Sequence, residues 1–260
     1  MSFTKVKKGV CAAKGFVANG LNCGLNSDKN KNDLALVYSE TQCQAAAVYT
    51  TNKVKGAPIQ VTKAHLEASG HTAKAVIANS KNANTCNADG VEKAQRMCEL
   101  AAAELSIDPN EVIVASTGVI GQVLPIEPIE SHIKELAKGL SADGNDKAVN
   151  AIMTTDTVPK QYAVKFMLGD CECTVGGMAK GSGMIHPNMA TTLNFITSDV
   201  AISSELIQKA LSEIVKVTYN CLSIDGDTST NDMVSIKANG LAGNTPITTE
   251  NDDYQTFKDA

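Results

Sequence analysis

The sequence predicts an α/β or α+β fold, with mixed sheets packed against helices. Short apolar runs of strand length alternate with segments of helical spacing along the whole chain, and no clean strand–helix–strand repeat orders them. Composition sets the material of the core. Of the 260 residues 43% are hydrophobic but only 4% aromatic, and Trp is absent, so Ala, Val, Ile and Leu must fill the interior.

Residues 15–33 are rich in Gly, Asn and Lys, which suits loops around a short extended segment. Residues 34–38 and 45–50 read as neighbouring strands joined by a turn. Thr62 is placed to cap a short helix over 63–69 that Gly70 closes. A buried strand over 74–78 is followed by an Asn-rich loop, 79–89. From 91 to 105, Val91, Ala94, Met97, Cys98, Ala101, Ala102 and Leu105 recur at helical spacing.

Residues 111–115 return as a strand and end in Ser116-Thr117-Gly118. Two further helices are predicted, over 129–140 (Ile129, Ile133, Leu136 and Leu140 on one face) and 146–153. Residues 163–168 and 172–175 suggest a hairpin turning at Gly169-Asp170. A strand over 193–197 precedes a helix opened by Ser203 or Ser204, with Leu206, Ala210, Ile214 and Val217 as its stripe. The polar run DGDTSTND leads into a strand over 233–238. The last residues, YQTFKDA, start a helix with no terminator, so the chain is expected to be truncated.

A net charge of −5, with no Lys/Arg run longer than Lys7-Lys8, argues against a nucleic-acid surface. No apolar run approaches the ~20 residues that cross a bilayer, and MSFTKVKKGV lacks the apolar core of a signal peptide. The eight Cys contain no CxxC pair, so no metal site is expected. A soluble cytoplasmic chain with reduced, mostly buried thiols follows. His65, His71 and His132 fall in or beside surface-type helical segments.

Residues 176–199 read GGMAKGSGMIHPNMATTLNFITSD, poor helix and poor strand until Leu193. This is a loop that delivers one Thr to a fixed place. A Thr hydroxyl is a weak nucleophile unless a base lies beside it, and a chain-terminal Thr carries that base as its own α-amine. Such an amine titrates near pH ~7.7–8.0 in short peptides. For Thr191 to reach that state the Ala190–Thr191 bond must be cut, which its own hydroxyl can do by attacking the Ala190 carbonyl. The competing reading is a plain Asn-Met-Ala-Thr turn into a strand.

Rival motifs fail on order and spacing. GGMAKGSG lacks the Gly-Lys-Ser/Thr order of a phosphate loop, because Lys180 precedes Gly181. DGDTSTND alternates Asp225, Asp227 and Ser229 as a calcium loop does, but Thr230 and Ile236 stand where Gly and Glu are required, so a structural loop is expected. His186, beside Pro187, reads as a loop residue rather than a base.

AKGSGMIHPNMATTLNFITSD resembles the signature of the bifunctional ornithine acetyltransferase (glutamate N-acetyltransferase) family, which cleaves itself before the Thr. KGFVANGLNCGLNSDKNKNDLALVYSE, AVYTTNKVKGAP, VIANSKNAN, ASTGVIG, AIMTTDTVPK and DGDTSTND agree with it along the whole chain. The resemblance implies an ornithine acetyltransferase-like fold with autocleaved α and β chains. Residues 1–190 would be the α portion and 191–260 the first part of β. It implies Thr191 as nucleophile, Thr117 and Gly118 as oxyanion donors, and Thr154, Lys180 and Thr191 as substrate-binding residues. Taken alone, Thr117-Gly118 would be a strand-end turn, Lys180 a solvated loop lysine and Thr154 a helix-end residue.

The implied reaction moves an acetyl group from N-acetylornithine to glutamate in arginine biosynthesis, with acetyl-CoA an alternative donor and no metal or bound cofactor. The implied assembly is a heterotetramer of two α and two β chains. Two departures stand out: the family's β chain runs further, and Lys81 in NSKNAN occupies a position where the family usually has a small residue, often Gly. A related self-cleaving amidase or aminopeptidase is one competing function, and an inactive fragment or uncleaved precursor is another.

Overall fold

The computed structural model describes residues 2–185 and 192–260. In chain order the elements are β1 (Thr4–Lys5), β2 (Phe16–Leu21), β3 (Leu34–Tyr49), α1 (Ala57–Ala68), β4 (Thr72–Asn79), α2 (Gly90–Leu105), β5 (Val112–Ser116), α3 (Glu127–Lys138), α4 (Asn145–Ile152), β6 (Lys160–Leu168), β7 (Cys171–Lys180), β8 (Leu193–Ser198), α5 (Ser204–Val217), β9 (Met233–Ala238) and α6 (Asp252–Asp259). The strands make one mixed sheet in the order β1-β6-β7-β8-β9-β3-β4-β5, with β2 also paired to β3. β4–β5 and β8–β9 are parallel and the other pairs antiparallel.

β3 corrects the two-strand expectation for 34–50. It is one 16-residue strand, and its polar SETQ stretch is a register shift against β4 between Tyr38 and Cys43 rather than a turn. The shift divides one edge of β3 between two partners, β2 along residues 34–39 and β9 along 44–49.

Three apolar cores flank the sheet. One lies beneath α1, α2 and α3, against Leu34, Leu36, Ile77 and Val114. A second joins α4 to Val37, Val76, Ile113, Met178, Leu193 and Phe195. The third packs α5 and α6 on Cys173, Val234 and Ile236. Ala, Val, Ile and Leu dominate all three, as the composition requires.

Several boundaries move for physical reasons. α1 begins at Ala57, after Gly56 and with Pro58 in its first turn, so Thr62 is interior. The Thr62 hydroxyl donates to the Val114 carbonyl at 2.8 Å and accepts from the Val114 N–H at 2.9 Å, tying helix to strand. His65 is buried instead of superficial, set between the Val112 carbonyl and the Gln95 side chain. Val91 and Val217, expected on apolar stripes, are 49% and 75% exposed. Ile207, Ala210, Leu211 and Val215 make the buried stripe of α5. The loop expected from Gly176 is strand as far as Lys180.

Candidate active site

Parallel pairing of β4 with β5 sets their C-terminal ends, Asn79 and Ser116, side by side. The Ser116 hydroxyl donates to Asn79 Oδ1 at 2.6 Å, and the Thr117 N–H donates to the Asn79 carbonyl at 3.0 Å. The Asn79 amide in turn donates to the carbonyls of Ser80 and Asn82. Gly118 follows at φ +135°, and a Cβ there would lie 2.1 Å from the Lys81 carbonyl carbon, so the close approach requires glycine. Among the described residues, neither the Thr117 hydroxyl nor the Gly118 N–H has a hydrogen-bond partner. These two donors are therefore unspent among the described residues.

Asn231 locks this corner from the other side. Its amide donates to the carbonyls of Ala83 (2.6 Å) and Ser116 (2.9 Å), while its oxygen accepts from the Thr85 and Thr230 hydroxyls, both at 2.6 Å. Every hydrogen-bonding site of the side chain is used, and the residue is 7% exposed.

Lys180 closes β7 opposite Leu193 of β8. It is 3% exposed, not the solvated loop lysine that its local sequence alone suggests. Burial lowers its ammonium to about 8, against the opposing charges of Asp232 and Asp156. Asp156, its side chain fully buried, accepts from the Lys160 ammonium at 2.6 Å, from the Gly181 N–H at 2.9 Å and from the Thr154 N–H at 3.3 Å. One carboxylate thereby joins the Thr154 segment to the turn after Lys180. Burial acts to raise that carboxyl, but the Lys160 ammonium and the two N–H groups hold it below the usual carboxylate range.

Thr117, Gly118, Thr154 and Lys180, drawn from four separate stretches of sequence, line one cleft of about 380 Å³ with Lys81, Val119, Ile120, Met184 and Asn231. The lining thus combines a lysine, hydrogen-bond donors without a partner among the described residues, and aliphatic side chains. Ala190, Thr191 and His186 lie outside the described residues. Thr192, the next residue after Thr191, is 8% exposed, and its carbonyl accepts from the Met233 N–H at 3.1 Å. Among the described residues no three His, Cys, Asp or Glu side chains gather as metal donors, and no helix is long and apolar enough to cross a membrane.

Asn231, Asp156 and Asn79 do not stand out in the sequence. Asn231 sits in DGDTSTND, which reads as a plain polar loop, and only its burial reveals that it braces the cleft.

The sequence matches the ArgJ family over residues 17–260. It is 50% identical over 246 residues to the arginine biosynthesis bifunctional protein ArgJ 1 of Clostridium acetobutylicum, covering 94% of this chain and 60% of that protein. The chain thus spans about three fifths of that relative's length. Among solved structures, ArgJ of Bacillus halodurans is 39% identical with a TM-score of 0.67, over 73% of this chain and 98% of that one. The Mycobacterium tuberculosis ornithine acetyltransferase complexed with ornithine is 35% identical with a TM-score of 0.66, over 74% of this chain and 100% of that one. The fold alone is shared with the L-aminopeptidase D-Ala-esterase/amidase of Ochrobactrum anthropi, described as a variant of the Ntn hydrolase fold, at 11% identity and a TM-score of 0.51 over 92% of this chain and 76% of that one.

Proposed function

Since the chain belongs to the ArgJ family, we propose that it is the larger part of a cytoplasmic, self-cleaving acetyltransferase of arginine biosynthesis that passes an acetyl group from N-acetylornithine to glutamate. The observation that carries this reading is the cleft itself, which Thr117 and Gly118, with no partner for the hydroxyl or the N–H among the described residues, line together with Thr154 and Lys180.

Cleavage comes first. The Thr191 hydroxyl oxygen attacks the Ala190 carbonyl carbon, the peptide C–N bond breaks as an ester C–O bond forms, and the hydroxyl proton passes to the departing amine. Water then hydrolyses the ester, leaving an Ala190 carboxylate and a Thr191 with free hydroxyl and α-amine. The lengths of the matches support this step. The M. tuberculosis chain is matched in full yet covers 74% of this one, about 190 of its 260 residues, which is the length ahead of Thr191. The C. acetobutylicum sequence instead matches 94%.

In turnover the α-amine takes the Thr191 hydroxyl proton as the oxygen attacks the acetyl carbonyl. Thr117 and Gly118 donate to the oxyanion, and removing one such donor costs about 10²–10³ in rate. Lys180 and Thr154 hold the amino-acid portion by its carboxylate and polar groups. Ornithine leaves with the proton, and acetyl-Thr191 remains. The glutamate amine then attacks that ester, and Thr191 recovers its proton as N-acetylglutamate departs. The reading needs no cofactor. Acetyl-CoA would enter as an alternative donor to Thr191, and two copies of each piece would form the heterotetramer.

The test is the mass of the 191–260 piece after mixing with N-acetylornithine. A gain of one acetyl group, lost on adding glutamate as N-acetylglutamate forms, is expected. Release of free acetate with none passed to glutamate would replace this reading with an amidase.

A further inference from the structure

The segment from Ile224 to Met233 holds the chain on both sides of the bond proposed to break. Upstream, the Asp225 carboxylate accepts from the Met184 N–H at 2.5 Å and the Ile185 N–H at 2.9 Å. The grip is reciprocal, because the N–H groups of Ile224, Asp225 and Gly226 converge on the Ile185 carbonyl at 2.9, 3.4 and 3.3 Å. Gly226 at φ +83° makes that convergence accessible, and Met184 is held at φ +59°, a conformation that side-chain-bearing residues rarely adopt. Downstream, the Met233 N–H donates to the Thr192 carbonyl at 3.1 Å.

We infer that residues 224–233 form a positioning frame for self-cleavage, with Asp225 as its upstream grip. The inference rests on the self-cleavage reading above. Attack of a hydroxyl on a neighbouring peptide carbonyl needs the reacting atoms within about 3–3.5 Å and aligned. Anchoring Ile185 and Thr192 to one short segment fixes both ends of the intervening residues 186–191. Holding the two attachment points together lowers the entropy cost of bringing a hydroxyl and a carbonyl between them into contact. A structural role alone explains this poorly: Asp225 is exposed, and among the described residues its side chain bonds only to Met184, Ile185 and its own turn. Its carboxylate serves as an acceptor for backbone N–H groups.

The experiment follows cleavage of the whole chain by denaturing intact mass against time, in the wild type, Asp225→Ala, Asp225→Asn and Asp227→Ala. Asp225→Ala should slow cleavage about 10²-fold, the scale expected from a misplacement of about 1 Å. Asp225→Asn, which keeps one oxygen acceptor, should recover part of the rate. Asp227→Ala should match the wild type, because the Asp227 side chain makes no hydrogen bond or ion pair among the described residues. Melting temperatures should not differ among the four. Equal cleavage rates in the wild type and both Asp225 variants would overturn the frame and leave self-cleavage standing. A wild type that never splits would overturn both. If Asp225→Ala melts early, the comparison rests on Asp225→Asn, and an undiminished rate there overturns the frame.

Discussion

If Lys180 holds a substrate carboxylate as proposed, it must keep its proton, yet burial brings its ammonium down to about 8. As pH rises through that value the charge is lost, so KM for amino-acid substrates should climb above about pH 8, which a KM–pH profile checks. Lys237, 1% exposed and bonded to the carbonyls of Val37 and Lys74, is also lowered by burial to about 8 from 10.5. Its folded value lies below its unfolded one, so the stability it contributes is present above the unfolded pKa and is lost as pH falls toward the folded value. Urea titrations should therefore show wild type gaining on Lys237→Met between about pH 8 and 10.5, by about 3 kcal/mol at most. The difference matters more than the absolute curve, since buried thiols such as Cys173, pushed up to about 12, work in the opposite direction above pH 9. Lys81 sits at φ +75°, a left-handed conformation that favours glycine over any residue with a Cβ. Lys81→Gly should stabilise the fold by about 1 kcal/mol in the same titration.

Elements with one apolar face were legible: α2 and α3 follow from side-chain spacing within a turn at their ends, and α5 from its Ser203 cap, although its buried stripe is Ile207, Ala210, Leu211 and Val215 rather than the one expected. β7 was legible only over 172–175, and its continuation to Lys180 was not, because Gly176-Gly177 and Gly181 read as flexible punctuation. Gly176 serves another purpose. A Cβ there would lie 2.1 Å from the Gly9 carbonyl oxygen, so glycine lets the strand run close under the N-terminal turn. Thr62 misled in the same way, since a hydroxyl that looks like a helix cap is spent on β5. The site was legible only through resemblance: nothing local separates Thr117, Thr154 or Lys180 from ordinary residues, and sheet topology is what brings them together. Gly144, at the start of α4, makes the same point about close approach. Its Cβ would lie 1.7 Å from the Ala18 carbonyl oxygen in β2. Gly144→Ala should destabilise the chain by about 3 kcal/mol, read from the urea midpoint.

At the scale of the whole molecule, the sheet order bears on what happens after cleavage. β8 and β9, both after Thr191, lie between β7 and β3, both before it. The second piece is thus laced into the first by hydrogen-bonded strands on either side, and a cut at Ala190–Thr191 breaks none of these pairings. Cleaved protein should elute as one species from a native sizing column and part only in denaturant.

The central claim is that this fold frees Thr191 by cutting its own chain, and intact mass under denaturing conditions tests it most directly. Two masses are expected for the purified wild type, residues 1–190 and 191–260, and a single full-length mass for Thr191→Ala. A wild type of one full-length mass, or a Thr191→Ala variant that still parts at the same bond, would contradict it.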